Sequence, residues 1–330
     1  MTADIFISSS DGKQKFEPIK PHSVSWKRNV DNYSDSCRIK IPGVCMMKKE
    51  GDGYSLVSTG LQLKEGMKVE FYCGYDHKNV LRFKGFIRRR NFTLPLELEC
   101  EGYAYQLRLK KNYSRSFKNT TVKKILIDLV VGTDIKLSDK IPDIPIPRAY
   151  FKNVNGIDVI DWLKEKCLLT VYFNFDTLYC GLREAERIEK VNFRLGWNVI
   201  KDNELKFELN RELATVNIRA QSRKRNGAFE EITVGDGGTK TVVVKFTVIN
   251  DPVWKKKIAE DVRTKLTNQG YEGSITAFLI PLAEPGMTAD IDDMRYKERK
   301  GDYFIEGVDG DFGPNGGRQK IKIGNYLGNG

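Results

Sequence analysis

Two histidines, His22 and His77, are the only imidazoles in the 330-residue chain. Both stand in turn-like sequence. Neither falls in an H-E-x-x-H or H-x-H pattern, so no metal-ligand set is visible. No G-x-S-x-G elbow marks a nucleophile, while a Ser-His-Asp triad, scattered along a chain, leaves no local signature. The densest acidic cluster is Asp290-Ile291-Asp292-Asp293. Glycosidase carboxylates stand about 5–10 Å apart across a cleft. This run, followed by Arg295, Lys297 and Arg299, reads instead as a solvated loop. Gly235-Asp236-Gly237-Gly238-Thr239-Lys240 lacks phosphate-loop spacing and leads into a strand, where a P-loop leads into a helix. Asp309-Gly310-Asp311-Phe312-Gly313 begins like a calcium loop, then places glycine at the third ligand position and has no closing glutamate. Both are expected to be hairpin tips. The expectation is a non-enzyme with no catalytic residue, no cofactor and no metal.

The charges carry more information. Lys and Arg outnumber Asp and Glu by 55 to 44, leaving a net charge of +11. That balance admits a nucleic-acid partner. Arg82, Lys84, Arg88 and Arg90 are expected along one strand face, as a phosphate stripe would require. The following strand offers Glu97, Glu99 and Glu101. If the two strands pair, acidic and basic rows lie side by side, and the sheet is a solvated, charge-laddered surface. The expectation is that Arg82, Lys84 and Arg88 share a face with Glu97 and Glu99. Lys110-Lys111, Arg223-Lys224-Arg225 and Lys255-Lys256-Lys257 are scattered, without the interleaved aromatics of a single-strand-binding platform.

The elements that must position these residues follow from periodicity. Residues 1–108 alternate apolar and polar at Val69–Cys73, Leu81–Ile87 and Leu96–Cys100, with breaks at Gly74-Tyr75-Asp76 and Asn91; this is a β domain. Residues 109–183 read as an inserted α/β domain. It holds a helix from Val122 to Val131 capped by Thr120 or Thr121, a proline-rich extended segment at 141–147, and a helix over 157–167. Strands Leu169–Phe175 and Leu178–Leu182 follow. Residues 184–330 return to β, interrupted by a helix that Asp251 caps, with Pro252 first and Trp254, Ile258, Val262 and Leu266 as its stripe. A final hairpin joins Tyr303–Val308 to Gln319–Ile323. The fold class is α+β, mainly β: two tube-like β-barrel domains flanking a small α/β domain. No exact internal repeat is visible, yet the two β domains are expected to share a fold.

Thr241–Ile249 stands apart, being β-rich with Val243 and Ile249 opposite a face of Val242, Val244, Phe246 and Val248. A strand apolar on both sides is buried on both sides. Val242, Val243, Val244, Phe246 and Ile249 are therefore a candidate oligomer interface, with Val243 and Ile249 outward; a central strand under the Trp254 helix reads equally well. Six cysteines without a C-x-x-C pair are read as free thiols. The N-terminus is not a secretory signal, and no apolar run approaches the ~20 residues that span a bilayer. The expectation is a soluble protein made in a cytoplasm.

The serial order of several short motifs resembles the phage tail baseplate-hub family: the Mu-like hub, the late-control D proteins and the hub portion of type VI secretion spike proteins. The motifs are Phe83-Lys84-Gly85-Phe86-Ile87, then Glu99-Cys100-Glu101-Gly102-Tyr103 and Leu107. Thr121-Val122-Lys123-Lys124-Ile125-Leu126 and Asn155 with Asp161-Trp162-Leu163 follow. Pro285-Gly286 before Gly301-Asp302-Tyr303-Phe304-Ile305 closes the series. The resemblance covers nearly the whole chain and stops without a β-helical needle. It implies a homotrimeric virion structural protein of a phage, prophage or contractile injection system, in the tail baseplate, assembled in the host bacterial cytoplasm. Its ring would adapt a hexameric tail tube protein to a trimeric spike protein, with DNA only as cargo through the ring and no membrane anchoring. A nucleic-acid-binding β-barrel and a tail-associated cell-wall hydrolase are the alternatives.

Overall fold

The computed structural model describes residues 1–330 except 12–14, 17, 49–53, 184–188, 209–215, 224–227, 236–239, 268–269, 298–299 and 329–330. The first stretch contains β1 (Thr2–Ser8), β2 (Ser23–Asn29), β3 (Asn32–Ile41), β4 (Val44–Lys48) and β5 (Tyr54–Ser58). The one-turn helix α1 (Thr59–Gln62) leads to β6 (Lys68–Tyr75), β7 (Lys78–Asn91), β8 (Leu96–Glu101) and α2 (Ala104–Leu109). Alternation fixes the buried face: Val69, Phe71 and Cys73 are fully buried, as are Ile39 and Leu98. The β6–β7 turn falls at Asp76-His77, later than the expected Gly74-Tyr75-Asp76. Both turn residues have positive φ, +50° and +59°, as a tight hairpin matched to strand twist requires.

The insert holds β9 (Tyr113–Thr121), α3 (Val122–Val130), β10 (Lys136–Leu137), β11 (Pro145–Val154), α4 (Gly156–Cys167), β12 (Thr170–Asn174) and β13 (Thr177–Gly181). Thr121 caps α3 by accepting from the Lys124 N–H, and Asn155 opens α4 with a reciprocal capping box to Asp158. Val122, Ile125, Leu126 and Leu129 of α3 are buried, as are Ile157, Ile160, Leu163 and Cys167 of α4. The end of the proline segment, from Pro145, enters the strand β11, which pairs antiparallel with β9.

The last stretch contains β14 (Lys190–Leu195), β15 (Val199–Lys201), β16 (Lys206–Glu208), β17 (Val216–Arg223), β18 (Phe229–Val234) and β19 (Lys240–Phe246). It continues with α5 (Pro252–Leu266), β20 (Gly270–Phe278), β21 (Thr288–Asp293), β22 (Gly301–Gly313) and β23 (Gly316–Gly328). Asp251 caps α5 through the Val253 and Trp254 N–H groups. Ile258 of the expected stripe is buried and Trp254 and Val262 pack half-buried against the core, while Leu266 is 37% exposed; Lys255 and Ala259 complete the buried face. The helix lies on the three-stranded sheet β18-β17-β19, and the two share a core with the insert.

The two β stretches are joined edge to edge. The strand order β1-β6-β7-β8-β3-β2 continues directly into β22-β23-β20-β15 through an antiparallel pairing of β2 with β22. Within each stretch the same order recurs: β6-β7-β8-β3-β2 in the first, β21-β22-β23-β20 followed by β15 and β16 in the second. The fold is mainly β with a small α/β component, as the periodicity indicates. At the joint Trp26 stands opposite Gly310. A Cβ on Gly310 would lie 2.0 Å from the Trp26 ring, so glycine is what lets the indole lie flat across the neighbouring strand.

Candidate assembly surfaces

β19 pairs with β17 in parallel and with no other strand among the described residues, so it is an edge, not a central strand. Val242 and Val244 are half-buried toward the α5 side and Phe246 is buried, while Val243 is 48% exposed. Ile249 corrects the expectation of an outward residue: it is fully buried. The strand ends at Phe246, so strand alternation no longer governs position 249. The outer face around Val243 is polar. Val243 stands opposite Arg219 and Lys245 opposite Gln221, and Arg219 and Gln221 both reach Glu231 at 3.6 and 2.9 Å.

The charged strands form a ladder, with two corrections. β7 carries two bulges, one displacing Arg82 and one between Ile87 and Arg89, and each resets the alternation. Arg82 turns inward, 3% exposed, and donates to the Leu279 carbonyl at 2.5 Å; burial lowers its pKa. Arg90 stands opposite the buried Leu98 and donates to the Gly60 and Leu63 carbonyls. Lys84 and Arg88 stay on the outer face, with Lys84 3.6 Å from Glu70 and Arg88 3.8 Å from Glu101. Arg89, absent from the expected stripe, takes a place in it opposite Glu99.

This ladder crosses the joint. Register aligns Phe278, Arg318, Asp311, Ser25, Arg38, Glu99 and Arg89 in one row over seven strands. The neighbouring row reads Thr276, Lys320, Asp309, Lys27, Ser36, Glu101 and Phe86. Lys27 reaches Asp309 at 3.7 Å and Arg38 reaches Glu97 at 3.6 Å. Signs alternate along both rows, so the basic residues make no continuous phosphate track.

Buried guanidinium groups tie the joint to the insert. Arg28, 4% exposed, lies 3.3 Å from Asp35 and 3.4 Å from Glu284. It donates to the Asn174 side chain at 3.0 Å and covers the Phe175 ring at 3.9 Å. Burial raises the Asp35 pKa to about 6; Arg28 pulls it down and Glu284 pushes it up. Arg183, 7% exposed, bridges Asp31 at 3.0 Å and Glu306 at 2.5 Å. From α5, Lys255, 2% exposed, donates to Ser222 Oγ and a Glu230 carboxylate oxygen of the small sheet, both at 2.8 Å. Sequence reading missed all three groups, since a cation gives no sign of a distant partner.

The residues screened for chemistry are dispersed. His22 and His77 are exposed, in a bend and a turn. Asp290, Asp292 and Asp293 lie in strand β21, not in a solvated loop. Asp290 reaches Lys190 at 3.5 Å and Asp292 reaches Arg194 at 3.2 Å. Asp293 is buried and accepts from Tyr271 at 2.8 Å and the Arg295 N–H at 2.9 Å. Parallel pairing of β21 with β14 supplies the missing cations from a strand about 100 residues away in sequence, which turns a polar run into strand. Asp309–Phe312 is strand body, not hairpin tip; the turn lies at Pro314-Asn315. Residues 236–239 of the other glycine loop lie outside the described residues. Cys37, Cys73, Cys100, Cys167 and Cys180 are buried free thiols. Among the described residues no helix is long and apolar enough to cross a membrane, and no cluster of metal-ligating side chains occurs.

No protein-family model matches the sequence, and no curated protein matches it. Solved structures do match over the whole chain. A tail protein from Neisseria meningitidis aligns with TM-score 0.65 at 11% identity, covering 98% of this chain and 97% of that one. The 43 kDa tail protein of prophage MuSo2 from Shewanella oneidensis aligns with TM-score 0.62 at 13% identity, covering 98% of each. An E. coli component of the type VI secretion system, described as structurally similar to T4 bacteriophage tail proteins gp27 and gp5, aligns with TM-score 0.57 at 9% identity. It is covered over 74% of its length by 94% of this chain. The fold is that of phage tail proteins and the related secretion component.

Proposed function

We propose that this chain is a structural, non-enzymatic hub of a phage-tail baseplate or a related contractile injection machine. It acts as a homotrimer, with residues 1–108 and 184–330 each supplying one tube-like unit and residues 109–183 the insert between them. One observation carries this reading: a single chain holds two β stretches of the same strand order, joined edge to edge. Three such chains offer six similar units with three-fold true symmetry. That is what a ring needs if one side meets a six-fold tail tube and the other a three-fold spike.

The partners on this reading are the tail tube protein, a spike protein, and DNA as cargo only. The place is the virion tail baseplate, after assembly in the host cytoplasm. The alternating signs across the joined sheet favour a solvated wall over a nucleic-acid-binding surface. Arg28 and Arg183, buried where the β stretches and the insert meet, suit a part that transmits load as one body. Sedimentation of the purified chain tests the trimer, and a cell-wall digestion assay tests the absence of catalysis. Lysis by the wild-type protein that vanishes on substitution of one carboxylate would replace this reading with that of a tail-associated hydrolase.

A further inference from the structure

The two β stretches repeat each other in hydrogen bonds as well as strand order. At β7, Gly66 donates to the Ile87 carbonyl at 2.8 Å and Ile87 to the Met67 carbonyl at 2.9 Å. At β22, Gly286 donates to the Ile305 carbonyl and Ile305 to the Met287 carbonyl, both at 2.9 Å. Each strand then carries one extra residue, Arg88 or Glu306, before pairing resumes at Arg89 with Glu99 and at Gly307 with Lys322. Ile87 therefore corresponds to Ile305, Arg89 to Gly307 and Asn91 to Asp309. On the far side of each stretch, Lys27 stands opposite Ser36 and Lys206 opposite Glu272. Counting from the shared bulge through β8 and β3, or β23 and β20, makes Lys27 and Lys206 equivalent. Strand β16 thus corresponds to part of β2.

The equivalence breaks at one place. β2 covers the second half of β22, pairing Lys27 with Asp309, Arg28 with Val308 and Asn29 with Gly307. The same part of β7 has only β8 beside it, and β16 has only β20, among the described residues. These are two open edges whose backbone groups call for partners, and they match the two sides of a joint the molecule already makes. We infer that Lys206–Glu208 of one copy pairs antiparallel with Arg89–Asn91 of the next, repeating the β2–β22 joint between chains. The register follows from the internal one: Lys206 opposite Asn91, Phe207 opposite Arg90, Glu208 opposite Arg89. The contact uses different surfaces on the two copies, the head-to-tail kind that closes into a three-membered ring when each copy is rotated by a third of a turn. Each chain then contributes one internal joint and one shared joint.

This inference rests on the homotrimer reading, and cysteine cross-linking separates the two. Five native cysteines are buried, and Cys45→Ser removes the sixth. In that background, Asn91→Cys with Lys206→Cys, and separately Arg89→Cys with Glu208→Cys, are oxidised and run on a denaturing gel. Covalent dimers and trimers that revert to monomer with reductant, absent from each single replacement, are expected for both pairs. A chain that sediments as a trimer while neither pair cross-links overturns this joint and leaves the trimer standing. A chain that sediments as a monomer overturns both.

Discussion

Asp35 and Glu284 hold Arg28 from two sides, within reach of Asn174 and the ring of Phe175. The Asp35 pKa of about 6 lies above its ordinary 3.8, so the folded state takes up this proton more readily than the unfolded chain does. Its stabilising contribution is complete below pH 3.8 and is lost as pH rises through 6. Hydrogen bonds from Lys20 and Lys68 lower the pKa values of Asp4 and Asp134; their contributions are present above the ordinary value and lost as pH falls. A comparison of wild type with Asp35→Asn isolates the first group. The stability of the variant relative to wild type should rise between about pH 4 and pH 6, by up to roughly 3 kcal/mol. Thermal melts showing a constant difference across that window would contradict the assignment. Lys255 gives a second residue-level expectation. Glu230→Ala leaves its buried ammonium without a carboxylate and should cost about 3 kcal/mol or more, whereas Lys255→Met frees only the half-exposed Glu230 to rehydrate. Equal melting temperatures for the two variants would remove the ion pair from the account. None of this was legible in the sequence. Lys255 sits in a run of three lysines that reads as surface, and only the tertiary fold shows which of them faces Ser222 and Glu230.

Elements were more legible than their joints. Period-two alternation located β6, β7 and β8, and the caps Thr121 and Asp251 located the starts of α3 and α5. Alternation fails wherever an extra residue enters a ladder. The two bulges in β7 sent Arg82 and Arg90 inward and brought Arg89 outward. The end of β19 at Phe246 likewise turned Ile249 from a supposed outer residue into core. The repeat left only a faint trace, Gly66-Met67 with Phe86-Ile87 against Gly286-Met287 with Phe304-Ile305, too short to stand out without the hydrogen bonds that give it meaning. At this scale Gly310→Ala probes the joint. Its Cβ would meet the Trp26 ring at 2.0 Å, so the variant should lose about 1–3 kcal/mol from overpacking. A melting curve that overlays wild type would show that the joint can shift to accept it. The alternating rows carry a further expectation: affinity for duplex DNA should be weak at physiological salt and change little with salt concentration. A slope corresponding to six or more phosphates would return the basic residues to nucleic-acid binding.

Among the described residues the largest sheet has 13 strands and joins two like halves edge to edge, and the insert shares one core with α5 and the β18-β17-β19 sheet. Within the chain the halves meet through β2 and β22; among the described residues the equivalent edges at β7 and β16 have no partner strand. On the proposed hub reading a closed ring would use both of these edges, and three copies would reconcile two units per chain with six-fold and three-fold neighbours. Solution mass tests that claim most directly, by sedimentation equilibrium or native mass spectrometry over a wide range of protein concentration. The account predicts a species of three times the 37.7 kDa chain mass. A chain that remains at its monomer mass at the highest concentration, or that settles as a closed dimer, would contradict it.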